Sequence, residues 1–220
     1  MTIVGLALLV ASPSVAGADG GDAIITRARA AESAQLRTLS RAPVALRTSG
    51  RFGDGKATHT FESLRRFAYG SDGTVSNTFE RGQVDGKPVT EEELRKAMGV
   101  KDEPKERGDV ITWALAPLSS PAIEVTALGP AADGGYTLRC RVTRDAVVST
   151  VTLLVDAQTG RKRTAHIQMA GTRAKLADTL ENVLTYAEDG APSQFRSSFH
   201  FKLGWIERSA EIRSERVPSP

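Results

Sequence analysis

The amino-acid sequence predicts an α+β protein that is mainly antiparallel β, in which a curved sheet forms an incomplete barrel covered by an N-terminal helix and a short middle helix. Two observations carry this fold class. Apolar and polar residues alternate with a period of two along most of the 220 residues, and turn signals rich in glycine and aspartate separate the alternating segments. Such alternation gives each strand one buried and one solvated face, as in antiparallel sheets.

The N-terminal helix is predicted over residues 22–40 from the helical spacing of its side chains. Asp22 is a suitable N-cap, and Pro43 ends the segment because the residue before a proline resists the helical conformation. The residues that share the buried stripe of this helix are Ile24, Ala28, Ala31, Gln35 and Leu39.

The middle helix is predicted over residues 91–98. Thr90 stands three residues before Glu93, which is the spacing of a capping box. Glutamates occupy positions 91 to 93, where the positive end of the helix dipole stabilises carboxylates. We therefore interpret them as helix-starting residues rather than as a catalytic or cation-binding group.

Two meanders of strands surround the middle helix. The alternating segments, in chain order, are 44–52, 57–69, 75–79, 123–127, 136–142, 147–155, 163–169, 195–203 and 205–213. Asp85-Gly86-Lys87-Pro88 is predicted to be a turn, and Arg163 is predicted to share a face with Ala165 and Ile167. Residues 109–118 and 172–187 fit both a helix and a strand.

Composition excludes several classes of function. Basic and acidic residues nearly balance, at 29 against 26, and no basic face is clustered, so nucleic acid is not an expected partner. The single cysteine, Cys140, excludes a disulfide within the chain and a thiolate-rich metal site. Cys140 alternates with apolar residues, so we interpret it as a small buried hydrophobic side chain.

The first 18 residues carry no charge and resemble a secretory signal peptide. An apolar run from Ile3 to Val10 is followed by small residues, and cleavage is expected near Ala18-Asp19. The run is too short to span a bilayer. No Lys or Arg precedes it, which departs from the usual pattern, and a buried N-terminal strand is the alternative.

No catalytic motif is visible. The histidines at positions 59, 166 and 200 do not form an H-E-x-x-H pattern, and the sequence lacks G-x-S-x-G and the glycine-rich phosphate-binding motifs. His166 and His200 alternate with apolar residues and are expected to face solvent. The sequence therefore predicts a protein that is not an enzyme and has no metal or cofactor.

Arg65 is a charged side chain between Phe61 and Phe67, on a strand face that is mainly aromatic. A buried, unpaired arginine is costly, so Arg65 must reach solvent, pair with an acid or meet an anionic group of a ligand. We predict a ligand-binding face from this pattern. Its residues are Phe61, Arg65, Phe67, Tyr69, Phe79, Phe199 and Phe201.

The order of elements resembles the periplasmic lipoprotein-carrier superfamily, the incomplete β-barrels of the LolA/LolB type and the RseB-related sensor domain. Two segments carry the resemblance. Val155-Asp156-Ala157-Gln158-Thr159-Gly160-Arg161 is similar to a strand, D-x-x-T-G, strand hairpin, and Val84 to Glu93 is similar to a turn that leads into a helix. The resemblance implies a hydrophobic cavity between the sheet and the helices that holds acyl chains.

These observations predict a signal peptide at 1–18, one half-barrel domain at 19–216 and a disordered tail at 217–220. The expected function is that of an exported, periplasmic, monomeric and non-catalytic protein that binds or carries a lipophilic ligand, either lipid or lipoprotein acyl chains. The alternative is an envelope sensor or protein-interaction domain without bound lipid, whose partners are envelope proteins. An enzyme with an unmarked active site is a third hypothesis.

Overall fold

The structure is a computed structural model that describes residues 18–53, 55–71, 74–98, 118–120, 123–144, 147–169, 179–203 and 206–218. Its elements are α1 (Ala18–Leu39), β1 (Val44–Gly53), β2 (Thr58–Tyr69), β3 (Val75–Val84), β4 (Lys87–Val89), α2 (Glu91–Ala97), β5 (Ile123–Pro130), β6 (Gly135–Arg144), β7 (Val147–Asp156), β8 (Lys162–Met169), β9 (Thr179–Tyr186), β10 (Pro192–Leu203) and β11 (Ile206–Val217).

All eleven strands belong to one antiparallel sheet with the order β4-β3-β2-β1-β11-β10-β9-β8-β7-β6-β5. The sheet is open, with β4 at one edge and β5 at the other in the described part of the chain. The predicted fold class is thereby confirmed, since the described residues contain two helices and a large, mainly antiparallel sheet.

The two predicted meanders meet in the middle of the sheet. The first is β1 to β4 and the second is β5 to β11, and β1 pairs with β11 from Ala45–Val217 to Gly53–Ser209. The hydroxyls of Thr48 and Ser214 lie 2.8 Å apart across this pairing. The first and last strands thus join the two halves of the sheet.

Helix α1 lies across the sheet, packing against both β2 and the edge strand β5. These strands are eight positions apart in the sheet order, or about 38 Å in a flat sheet at about 4.8 Å a strand. A helix of 22 residues is only about 33 Å long. The sheet is therefore curved, and α1 lies inside the curve.

A single apolar core fills the space between α1 and the sheet. The helix contributes Ile24, Ala28, Leu36 and Leu39, all of them buried. The sheet contributes side chains from both meanders, and those exposed by 2% or less are Val44, Leu46, Phe67, Leu138, Leu153, Val155, Ala165, Ile167 and Leu184. The stripe predicted from helical spacing is close to the buried one, although α1 begins at residue 18 rather than 22.

The middle helix forms as predicted. The Thr90 hydroxyl accepts a hydrogen bond from the Glu93 amide at 3.2 Å, and the Glu93 carboxylate accepts one from the Thr90 amide at 2.8 Å. These two bonds make the predicted capping box. The bonds from Thr90 also lower the pKa of the Glu93 carboxyl. Helix α2 packs beside β3, near the edge of the sheet.

Several local predictions need correction. Lys87 and Pro88 belong to β4 rather than to a turn, and the turn is made by Asp85 and Gly86 with φ of 48° and 76°. The ambiguous segment 172–187 contains a strand, β9, whereas its residues 172–178 lie outside the described residues, as do 109–117. Strand β11 extends to Val217, one residue into the predicted tail. The predicted signal peptide also falls almost wholly outside the described residues.

Candidate ligand-binding face

The inner face of the sheet, which is the face toward α1, has two different ends. The first, here called the covered end, carries the β7–β8 and β9–β10 turns on which α1 rests. The second, here called the hairpin end, carries the β1–β2 hairpin. The predicted ligand-binding residues divide between them.

Phe67 and Tyr69 lie at the covered end. Their exposed fractions are 1% and 6%, and both side chains belong to the apolar core that includes α1. Burial also raises the pKa of Tyr69. These two residues therefore stabilise the fold, and their predicted contact with a ligand remains a prediction.

Two turns of the covered end form the seat of α1. The Arg27 side chain donates a hydrogen bond to the Ala157 carbonyl at 2.5 Å, and the Gln35 amide donates one to the Glu188 carbonyl at 3.4 Å. Gly160, with φ of 73°, lies so close to the helix that an added Cβ would sit 2.6 Å from the Arg27 carbonyl carbon. A glycine is needed there for both the positive φ and the close approach.

Side-chain hydrogen bonds within the D-x-x-T-G turn, residues 156–160, explain its shape. The Asp156 carboxylate accepts hydrogen bonds from the amides of Gln158 and Thr159 at 3.0 and 2.8 Å and from the Thr159 hydroxyl at 2.9 Å. An ion pair with Arg163 adds to these bonds. Together the Thr159 and Arg163 contacts lower the pKa of Asp156 to about 2. The motif thus holds the turn in the shape on which α1 docks.

A buried ion pair joins α1 to β8 at the covered end. Glu32 and Lys162 form a salt bridge, and their side chains are only 6% and 8% exposed. The Glu32 carboxylate also accepts the Leu118 amide at 2.5 Å, while Arg29 donates to the Leu118 carbonyl at 3.3 Å. The Lys162 ammonium lies 5.5 Å from the centre of the Tyr186 ring. The pair therefore fixes the helix, the sheet and the chain around residue 118 to one another.

This pair does not follow from the alternation of the sequence, because β8 contains a β-bulge. Leu154 pairs with Thr164 but Val155 pairs with Lys162, so Arg163 is an extra residue in β8. Strict alternation from Ala165 predicts Arg163 on the inner face, which is wrong, since the bulge places Lys162 there instead. The only sign in the sequence is that the charged residues Lys162 and Arg163 follow closely after the D-x-x-T-G turn motif.

Cys140 lies in the same core, as predicted, with 3% of its surface exposed. Burial raises the pKa of its thiol to about 11, and Lys162 opposes the increase. Burial raises the pKa of Tyr186 as well. These groups stay uncharged near neutral pH, so the buried pair of Glu32 and Lys162 lies among neutral side chains in the described core.

The hairpin end has an aromatic floor. The Phe61 ring lies over Gly50 of the neighbouring strand, where an added Cβ would sit 2.7 Å from the ring. The Phe52 ring contacts the rings of His59 and Phe61, with centroid distances of 5.4 and 6.1 Å. Phe199 is half-buried on the same face, two strands from Phe52. Phe201 follows in β10, but its side chain lies outside the described residues.

Arg65 lies between the two ends and is paired. Its guanidinium donates to the Glu91 carboxylate at 2.7 Å and to the Asn77 side chain at 2.8 Å, and it lies 5.4 Å above the Phe79 ring. The Phe79 ring in turn lies against Gly82. Of the three outcomes open to Arg65, the structure shows pairing with an acid, and this pairing ties α2 to the sheet.

The histidines either lie beside a carboxylate or are exposed. His59 and the Asp85 carboxylate lie 2.7 Å apart, and this hydrogen bond lowers the pKa of Asp85. His166 is exposed, as predicted, and His200 lies 3.3 Å from Glu207. Within the described ranges, no group of three or more His, Cys, Asp or Glu residues is arranged to hold a metal ion. No helix in the part of the chain that the structure describes is both long and apolar enough to cross a membrane.

Comparisons with known proteins assign no family. No protein-family model matches the chain, and no curated protein matches it. Among solved structures, one of the Pseudomonas aeruginosa MucA/MucB complex is 13% identical, with a TM-score of 0.23, and covers 91% of this chain and 94% of its own. A crystal structure of MucB in complex with MucA(peri) is 12% identical, with the same TM-score and coverage. So low a TM-score means that most Cα positions do not superpose, so neither fold nor function is transferred from MucB.

Proposed function

We propose that this chain is an exported, non-catalytic protein that binds a lipophilic ligand, either lipid or lipoprotein acyl chains, on the inner face of its curved sheet. The observation that carries the proposal is the aromatic floor of the hairpin end. Phe52 and Phe199 are half-buried there, and the buried Phe61 ring lies against Gly50 of the neighbouring strand. An apolar aromatic surface of this kind suits an acyl chain, because burial of apolar area removes both surfaces from water.

The covered end supports the same proposal by contrast. Phe67 and Tyr69 are already packed against α1, so the apolar part of a ligand has its place at the hairpin end. Arg65 has an acid and an amide as partners, which means that an anionic ligand group would reach it only by replacing Glu91 or by sharing the guanidinium. The proposal therefore rests on the apolar floor, and the predicted contact with Arg65 is a separate part of it.

A single pair of substitutions on β10 tests the floor. Phe199→Asp places a charge on the inner face, whereas Ser198→Asp places the same charge on the opposite face of the same strand. With a fluorescent fatty acid as the probe, we expect at least about tenfold weaker binding for Phe199→Asp, because the acyl chain would have to desolvate a carboxylate. Ser198→Asp should bind like the wild type. Equal binding by both variants, with unchanged circular dichroism, would contradict the proposal.

The role of Arg65 has its own test. Native mass spectrometry of wild type and Arg65→Ala, each purified from the cell envelope, compares the amounts of retained lipid. A contact with an anionic head group predicts less lipid on the variant. Equal retention would restrict the function of Arg65 to holding α2 through Glu91.

The alternative function, protein interaction in the envelope, is favoured by the open edges of the sheet. In the described ranges, β5 has a strand partner on one side only, and an unpaired edge can accept a strand from another protein. Leu128 of β5 is the one large hydrophobic side chain that is exposed among the described residues, at 46%. This alternative would be favoured if the wild type bound no fatty acid but captured an envelope protein specifically. Thr126→Pro should then abolish that capture.

A further inference from the structure

The outer face of the sheet, opposite α1, contains two arginines that lie directly across from each other. Arg196 of β10 and Arg213 of β11 are paired at the Cα level in adjacent antiparallel strands, so their side chains emerge side by side. Both side chains are exposed. Like charges in this position destabilise a sheet, so the arrangement needs a counter-charge.

Other arginines of the outer face have that counter-charge from within the chain. Arg51 pairs with Glu211 at 2.7 Å, Arg66 with Glu80 at 2.6 Å, and Arg47 with Glu62 at 3.5 Å. In contrast, neither Arg196 nor Arg213 has an acidic partner within the described ranges. These two residues are also like charges placed directly opposite each other in the strand register. The arginine pair is thus electrostatically incomplete.

The arginine pair also lines a groove. A depression of about 430 Å³ runs across β8 to β11 on the outer face, and it is lined by His166, Glu181, Val183, Arg196, Glu211 and Arg213. His166 is in the same cross-strand row as the arginines, because it pairs with Val183 and Val183 pairs with Arg196. The acids are in the next row, where Glu181 and Glu211 flank Ser198 and where Arg51 already neutralises Glu211.

We propose that this groove binds an oxyanion of the phosphate class between Arg196 and Arg213. Two guanidinium groups on adjacent strands can each direct a pair of N–H donors at one phosphate, and arginine is the side chain best suited to such planar, bidentate recognition. The bound phosphate supplies the counter-charge that the described residues do not supply. The phosphate is either free, on a small molecule, or part of a lipid head group.

The site is independent of the lipophile-binding face, because it lies on the other side of the sheet. Loss of phosphate binding leaves fatty-acid binding intact, and failure of the fatty-acid test says nothing against the groove. Glu181 is the nearest acid to the two arginines that has no ion-pair partner among the described residues. Its negative charge lowers the affinity of the groove for anions. Its removal should therefore strengthen binding.

The experiment titrates the full chain with inorganic phosphate by calorimetry and measures its co-sedimentation with vesicles of phosphatidylglycerol or phosphatidylcholine. The variants are Arg196→Gln and Arg213→Gln, with Arg139→Gln as the matched control, an exposed arginine of β6 whose cross-strand neighbours are Thr126 and Thr152. Each groove variant should bind about tenfold or more weakly, since a hydrogen bond to a charged group is worth that much. Glu181→Gln should bind more tightly than wild type.

The result also identifies the source of the phosphate. Binding of inorganic phosphate that the groove variants lose indicates a small phosphorylated ligand, whereas a loss confined to phosphatidylglycerol vesicles indicates a lipid head group. No saturable binding by wild type to either probe, or an equal loss in Arg139→Gln, overturns the proposal. Unfolding does not confuse the result, because removing one of two repelling arginines leaves the melting temperature unchanged or higher.

Discussion

The two ends of the inner face are built on the same strands but differ in what occupies them. At the covered end, α1 lies on the β7–β8 and β9–β10 turns, the core is filled, and one charged pair is enclosed at less than 10% exposure. At the hairpin end, Phe61 is buried against Gly50, whereas Phe52 and Phe199 remain half-buried. The difference shows that apolar alternation alone does not distinguish strand positions packed under α1 from strand positions that remain half-buried.

The largest expected effect tests the charged pair of the covered end. Lys162→Met removes the cation that pairs with Glu32 and leaves a buried carboxylate without its ion-pair partner, which should lower the free energy of unfolding by about 3–5 kcal/mol. Arg161→Met is the control, because Arg161 is the exposed neighbour in sequence. Urea denaturation measures both. If the two variants lose the same stability, then the pair is not a structural element of the covered end.

A smaller effect tests how α1 is seated. Gly160→Ala and Gly86→Ala both place a Cβ at a positive φ, 73° and 76°, but only the first also meets the backbone of α1. Gly86→Ala should cost about 1–2 kcal/mol for the backbone conformation alone. Gly160→Ala should cost about 1–3 kcal/mol more from the steric conflict. Equal losses in thermal unfolding would mean that α1 does not rest on the β7–β8 turn.

The smallest effect tests the pH dependence of the same turn. The folded-state pKa of Asp156 is depressed to about 2 from 3.8, so its stabilising contribution is complete above the unfolded pKa and is lost as the pH falls toward 2. Asp156→Asn should therefore melt at a lower temperature than wild type at about pH 6, and the difference should shrink between about pH 4 and pH 2. A difference that does not depend on pH would show that the carboxylate charge is not what holds the turn.

The sequence predicted the features that depend on short-range patterns. The capping box at Thr90, the meanders on either side of α2 and the burial of Cys140 all follow from the spacing of a few residues, and all are confirmed. The antiparallel pairing also follows, because successive segments joined by short turns pair with each other.

The features that were missed depend on contacts between distant segments. One extra residue in β8 reverses the faces of Arg163 and Lys162, and no pattern within the strand reveals it. Glu32 is buried although the predicted apolar stripe of α1 does not include it, because its partner Lys162 is 130 residues away in the sequence. Phe67 and Phe199 fit the same pattern, yet only the position of α1 shows that the first lies in the core and the second does not.

The pairing of β1 with β11 has a consequence for how the chain folds. Thr48 and Ser214, which meet at the centre of the sheet, are separated by 166 residues in the sequence. The loop between them must close before this pairing stabilises anything, and such long-range closure slows folding. Until β11 has been synthesised, β1 and β10 each lack one neighbouring strand, so the sheet is completed late. We therefore expect each meander to form before the two are joined, since contacts within a meander are closer in sequence.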